Sequence, residues 1–188
     1  VLYPKTVIEL SCIVKKAFEE GKKITIKGAG KSQGGQTVSG RSSYRVSLDN
    51  INKLINLNVK DKQVTIEAGA TWATLQRYIA PHRLAIQAMQ SYNDFSIGGS
   101  LGVNVHGQDL VDNPLITTVR SFKLLLADGN IIHVSRTQNA ELFGAVIGGY
   151  GLIGIVIEVT LDLTEDVLLE RAVTVVDSLQ GREHFYAK

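Results

Sequence analysis

Three clusters of glycine, at residues 28–35, 98–107 and 144–154, carry most of the chemistry this sequence can offer. Glycine at that density marks backbone that must take positive φ or let another group approach closely. In the first cluster a β-branched stretch, Lys23-Ile24-Thr25-Ile26, runs into Lys27-Gly28-Ala29-Gly30-Lys31-Ser32-Gln33-Gly34-Gly35-Gln36-Thr37. Successive backbone N–H groups turned inward, with the hydroxyls of Ser32 and Thr37 beside them, would surround an anion, and a nucleotide diphosphate is the obvious one. A glycine-rich surface loop with no ligand is the competing reading of this run. The second cluster reads Ser96-Ile97-Gly98-Gly99-Ser100-Leu101-Gly102-Val103-Asn104-Val105-His106-Gly107. Ser96 can cap a short helix whose first N–H groups belong to Gly98 and Gly99, and such a bare start receives a phosphate or a flat ring. Its competitor is a small-residue helix packed tightly on a sheet. Two such clusters in one short chain favour the binding reading.

A dinucleotide-binding Rossmann turn is the nearest alternative, because a Gly-x-Gly follows a strand and Asp49 lies 21 residues after Gly28. The third glycine of that fingerprint would fall on Gln33, however, and residues 34–43 lack the apolar stripe of a crossover helix. The Rossmann reading is rejected, and Asp49 becomes a strand end or turn former. His106 could donate to a ring or substrate oxygen, or could be satisfied by backbone carbonyls at a helix end. His82, His133 and His184 show no metal-ligand spacing, so no metal site is expected. Cys12, the single cysteine, falls on the apolar side of a helical pattern and is expected to be a buried, inert thiol. Trp72 and Tyr78 are expected to be core or lobe-packing residues.

The elements that must position these clusters follow from periodicity and capping. Val7, Ile8, Cys12, Ile13, Ala17 and Phe18 suggest one face of a helix over residues 6–20, stopped by Gly21. Short strands are expected at 23–26, 45–48 and 64–68, and Thr71 caps a helix that runs through Ile79 before Pro81 ends it. Residues 121–126 and 131–134 form a hairpin across Ala127-Asp128-Gly129-Asn130. Asn139 caps a helix through Val146, and the alternation Ile155, Ile157, Val159, Leu161, Leu163 predicts a long strand with one buried face. The fold class is α+β in two lobes that meet near residues 55–65, a small β/α lobe of about 1–58 and a larger sheet lobe of about 59–166.

Composition bounds the function. The 188 residues are 44% hydrophobic and 20% charged, enough apolar matter for a real core and too few charges for a disordered chain. A net charge of +2, with no basic run interleaved with aromatics, makes nucleic acid an unexpected partner. The longest uncharged stretch, residues 142–157, falls short of the roughly 20 apolar residues that span a bilayer as helix. No signal peptide is visible and a cytoplasmic location is favoured, although residue 1 is Val and an upstream segment can have been removed.

Taken together, the clusters resemble the FAD-binding domain of the vanillyl-alcohol-oxidase and p-cresol-methylhydroxylase (PCMH-type) flavoprotein family. KGAGKSQGGQT is similar to that family's flavin loop, and SIGGSLGVNVHG to its second signature. The strand with Ala-Asp-Gly, followed by ELFGAVIGGYGLIGIVIEVTL, is similar to its third. The order and spacing agree along about 160 residues, and the wording is closest to bacterial sugar and polyol oxidoreductases, including the decaprenylphosphoryl-ribose oxidase type. The resemblance implies an FAD held between two α+β lobes. It implies a lining of Ile26, Lys27, Gly28, Ala29, Gly30, Lys31, Ser32, Gln33, Gly34, Gly35 and Gln36. Ser91, then Ser96, Ile97, Gly98 and Gly99, then Val103, Asn104, Val105 and His106, and finally Ile155 would complete it. Many relatives carry a covalently linking histidine where this chain has Lys31, so non-covalent FAD is expected. The activity implied is hydride transfer from a hydroxylated substrate, such as a sugar or polyol, to the flavin. No base is assigned beyond the candidate His106. Relatives continue into a substrate-covering domain, so residues 167–188 are expected to be its opening strand and a polar tail, and the isolated domain to be inactive. A non-catalytic nucleotide-binding module and an NADPH-dependent reductase of the same fold are the alternatives.

Overall fold

A computed structural model describes residues 1–40, 42–108, 114–168, 170 and 173–186. The small lobe comprises helix α1 (Val7–Glu19) and a parallel pair of strands, β1 (Lys23–Lys27) and β2 (Ser43–Ser47). Leu2 bridges to Val46, extending the pair on the β2 side. Thr6 starts α1 by accepting the N–H of Glu9 through its hydroxyl, and Gly21 follows the last turn at φ +62°. Glu20 accepts from both Lys22 and the Tyr44 hydroxyl, at 2.6 and 2.7 Å, which ties the end of α1 to β2. These two donors hold the Glu20 carboxyl below its ordinary range, and the Glu20 carboxylate raises Lys22.

The buried stripe of α1 is Leu10, Val14 and Ala17, with Val7 and Ile13 partly buried beside it. Ile8 and Phe18 are exposed, and so is Cys12, contrary to the expected buried thiol. For Ile8 and Cys12 the reason is angular. At about 100° per residue, positions 7, 10, 14 and 17 share one stripe, while 8 and 12 fall on the next one round, which nothing covers.

The large lobe is a six-stranded antiparallel sheet ordered β3-β4-β8-β6-β7, with β5 pairing β8 beyond β4. Its strands are β3 (Leu54–Asn58), β4 (Gln63–Glu67), β5 (Leu84–Ile86), β6 (Val119–Leu125), β7 (Ile131–Ser135) and β8 (Ile155–Glu165). Helices α2 (Trp72–Ile79), α3 (Ile97–Val103) and α4 (Ala140–Val146) contribute Trp72, Leu75, Leu101 and Phe143 to the core of this lobe. Strand β8 is the spine of the molecule. Its odd positions from 155 to 163 are buried, Ile155 and Ile157 against α1 and β2, and Val159, Leu161 and Leu163 in the larger core.

Most expected elements form, and the differences have local causes. Strand β3 gives no strand signal in the sequence because Asn56 interrupts Leu-Ile-Leu and Asn58 follows it, yet its pairing with β4 supplies the order that propensity does not. Because β3 belongs to the large sheet, the lobe junction lies before residue 54 rather than at 58. β5 is only three residues long, too short for a periodic signal. Asn139 precedes α4 in a left-handed conformation, and its amide donates to the carbonyl of His133 instead of capping the helix. The hairpin closes with Gly129 left-handed at φ +83°. No strand forms among the described residues of the tail; residues Gly181–Tyr186 form a short helix, α5, instead. Parts of the expected opening strand lie outside the described residues.

The lobes are joined through Ala68-Gly69-Ala70, the turn after β4. The Gly69 N–H donates to the carbonyl of Ile51, and a Cβ on Gly69 would lie 2.1 Å from the carbonyl oxygen of Leu48. Gly69→Ala is therefore expected to lower unfolding stability by about 3 kcal/mol, the upper range for overpacking. Gly144→Ala, on an exposed helical position with nothing within 4 Å, is expected to raise it by about 0.5–1 kcal/mol. Paired thermal or denaturant melts check both signs.

Candidate functional site

The first glycine cluster leaves β1 and meets the segment that opens α3, so the two runs converge from separate lobes. The Ala29 N–H donates to the Ser96 side-chain oxygen at 3.2 Å. A Cβ on Gly28 would sit 2.0 Å from that same oxygen, so only glycine permits the approach. Ser96 is 4% exposed and occupies the N-cap position of α3, yet its hydroxyl does not cap its own helix. It reaches across to the other lobe. Lys31 adds a second tie, an ion pair with Asp94, two residues before Ser96.

Within the loop, Gly30 and Gly35 take φ of +72° and +75°, conformations that favour glycine. Among the described residues, the backbone N–H groups of Gly30, Lys31, Ser32 and Gln33 donate to no protein acceptor. All four residues are exposed, so these adjacent donors are open to water and can be offered to an anion. Gly34 donates to the side-chain carbonyl of Gln36 at 3.1 Å, and the hydroxyl of Ser32 lies 3.3 Å from that of Thr37. Those two hydroxyls engage each other. Lys27 folds beneath Gly30 and pairs with Asp49 at 3.4 Å.

The α3 side departs from expectation. The N–H groups of Ile97 and Gly98 are taken by the carbonyls of Ala70 and Ala68, each at 2.8 Å. The close packing offered as the competing reading holds for Gly98, where a Cβ would lie 2.9 Å from that of Ala68. Among the described residues, the Gly99 N–H keeps no acceptor, and Gly102 faces open space. Ile97 and Ile155 bury their side chains in the two cores, and Ile26 is partly buried, so the cores claim their side chains.

Beyond α3, Asn104 is left-handed at φ +48°, and its side-chain oxygen accepts the N–H of Ile116 at 3.0 Å. The Val105 N–H is bound by Ser100. Val103 and His106 are exposed. His106 places Nδ1 2.8 Å from the carbonyl of Gly107; a carbonyl only accepts, so Nδ1 carries the hydrogen and Nε2 is left as the acceptor. This is the backbone-satisfied pattern. Ser91 is exposed on the segment leading to Asp94. The third glycine cluster abuts α3, since the N–H of Gly148 donates to Leu101 and that of Tyr150 to Gly102. Trp72 is wholly buried, with its indole N–H on Ser100 at 2.9 Å, whereas Tyr78 is exposed. Among the described residues no three His, Cys, Asp or Glu side chains converge as metal ligands, and no helix is long and apolar enough to cross a membrane.

Sequence reasoning missed Asp94 and the Ala68-Gly69-Ala70 turn. The turn did carry a signal, a glycine between small residues directly after a strand and before the Thr71 cap. Asp94 carried none, because an ion pair between distant loops leaves no local pattern.

The architecture is an α+β fold of two lobes whose glycine-rich segments, the loop after β1 and the start of α3, meet each other. Residues 1–135 match the family model described as FAD binding domain, and the chain belongs to this family of FAD-binding domains, of the PCMH type. It is 28% identical over 158 residues to L-gulonolactone oxidase of Bos taurus, covering 84% of the chain and 36% of that protein. It is 32% identical to the mitochondrial L-galactono-1,4-lactone dehydrogenase of Arabidopsis thaliana, covering 84% of the chain and 26% of that protein. Decaprenylphosphoryl-beta-D-ribose oxidase of Mycolicibacterium smegmatis is 26% identical, over 81% of the chain and 33% of that protein. The chain thus spans about a third of the length of such relatives. The solved structure of FgChi7B shares the fold with a TM-score of 0.79 at 22% identity, over 87% of the chain and 34% of that structure.

The cofactor of this family is FAD, and the residues present suit it. The donor set is almost wholly amide N–H, and the carboxylates of Asp94 and Asp49 are already matched by Lys31 and Lys27. Gly28→Ala is expected to weaken FAD binding about tenfold, the cost of forcing apart a packed contact. Gly28→Ala combined with Ser96→Gly should recover part of that loss, because the clashing side chain is gone. Titration followed by flavin fluorescence measures both.

Proposed function

We propose that this chain is the FAD-binding part of an oxidoreductase that takes hydride from a hydroxyl-bearing carbon of a sugar, polyol or sugar lactone and holds its FAD without a covalent bond. The observation that carries the reading is the row of unpaired N–H groups from Gly30 to Gln33, in a loop fastened to Ser96. The names of the relatives, lactone oxidases and dehydrogenases and a ribose oxidase, support the substrate class. When bound, FAD supplies the two-electron acceptor that no amino-acid side chain provides.

The chain's own residues have separable tasks. The amides of Gly30, Lys31, Ser32 and Gln33 receive the diphosphate, and the Gly99 N–H offers a donor from the opposite wall. Ser96 braces the loop so that these donors are in place before the ligand arrives, which avoids ordering them at the moment of binding. Lys31 makes no link to the cofactor: a protonated amine paired with a carboxylate has no lone pair to offer. His106 lies past the C-terminal end of α3 with Nδ1 on the Gly107 carbonyl, which leaves Nε2 to accept a hydrogen bond. The substrate contacts belong to residues beyond this chain, as the greater length of the relatives supports.

Two measurements on the full-length protein test this. Acid precipitation after removal of free FAD should leave the yellow colour in the supernatant; colour retained by the pellet contradicts non-covalent binding. Anaerobic addition of a sugar lactone or polyol should bleach the flavin band. Bleaching by NADPH and by no hydroxylated compound would instead assign a reductase.

A further inference from the structure

We propose that Lys31 and Asp94 form an electrostatic latch that fastens the cradle loop to the segment leading into α3 and thereby sets how slowly the dinucleotide leaves. The inference rests on the FAD reading of the cradle. Two contacts join the segments, Ala29 to Ser96 and Lys31 to Asp94. They step in opposite directions along the chain, two residues at a time, as rungs between antiparallel segments do. The unpaired N–H of Gly30 lies between the rungs, and those of Ser32 and Gln33 lie just beyond the second. The ion pair therefore closes the side of the cradle that the hydroxyl of Ser96 does not reach.

The charge arrangement assigns Lys31 to the latch and not to the phosphate. Both lysines of the loop are committed to carboxylates, Lys27 to Asp49 and Lys31 to Asp94, so the ligand's charge is met by amides. The side chains of Lys31 and Asp94 are 46% and 52% exposed, a setting in which an isolated pair contributes little, because ordering two side chains costs entropy and water screens the charges. Here the neighbouring rung already fixes both backbones and aspartate is short, so the pair acts at the upper end of the exposed range, a factor of about two to five. Screening by salt falls on the exposed ion pairs of the loop, Lys31–Asp94 and Lys27–Asp49, more than on the uncharged amide donors.

The test is the rate of FAD release from the full-length protein, followed by recovery of flavin fluorescence after dilution at low and at high sodium chloride. Asp94→Asn and Lys31→Met are each expected to speed release about two- to fivefold at low salt. Their combination should add nothing, and the exchanged pair Lys31→Asp with Asp94→Lys should restore the slow rate. The wild type should lose FAD faster as salt rises, while Asp94→Asn shows a smaller salt dependence than the wild type. Slower or unchanged release from Asp94→Asn, with faster release from Lys31→Met, would place the ammonium on the phosphate and overturn the latch. Additive effects of the two single changes would overturn it as well. If the wild type retains no FAD, the cofactor reading has failed, and digestion of the loop by a non-specific protease decides the latch separately. Faster cleavage in both single variants with recovery in the exchanged pair supports it; equal cleavage in all four proteins overturns it.

Discussion

The missing Cβ of Gly28 is the constraint on which the site depends. With it absent, the hydroxyl of Ser96 comes within hydrogen-bond reach of the Ala29 N–H, and two segments from different lobes share one wall. Ser96 gives up the capping of its own helix to make this contact, a sacrifice that ordinarily costs about 1 kcal/mol. The loss is offset locally: the N–H groups of Ile97 and Gly98 bind the carbonyls of Ala70 and Ala68, so α3 is started by backbone rather than by a side chain. The Ala68-Gly69-Ala70 turn thus anchors α3 on one side and touches the Leu48 and Ile51 carbonyls of the small lobe on the other.

Behind this joint stands a rigid frame. Strand β8 runs through both cores, so the cradle loop and α3 are held by elements that cannot shift independently without opening packed apolar contacts. The loop itself contains no buried apolar side chain, and its order comes from left-handed glycines and polar ties. Stiff supports beneath a polar, side-chain-poor rim suit a ligand that must enter, be held by many donors and leave again.

Much of this was legible in the sequence, and what was not has physical reasons. β8 announced itself through strict alternation, and Thr71 and the Ala-Asp-Gly turn marked their elements by local chemistry. The two glycine clusters pointed to their own convergence because each removes side chains where backbone must approach. Cys12 was misread because neighbouring helical stripes both carry apolar residues, and only packing decides which is covered. β3 was hidden because its order comes from pairing with β4 rather than from its asparagine-broken run. Gly98 looked like a phosphate donor and is instead a packing glycine, since a sequence cannot show that Ala68 presses against it. The tie from Lys31 to Asp94 spans separate loops and has no local signature at all.

The most direct check of the shared crevice is an NMR titration of protein labelled with 15N only at its 18 glycines, with FAD added stepwise. Gly30 from the first cluster and Gly99 from the second should shift together along one binding curve, while Gly129 and Gly144, remote from the crevice, stay still. Movement of one cluster without the other, or different curves for the two, would contradict a diphosphate held between them.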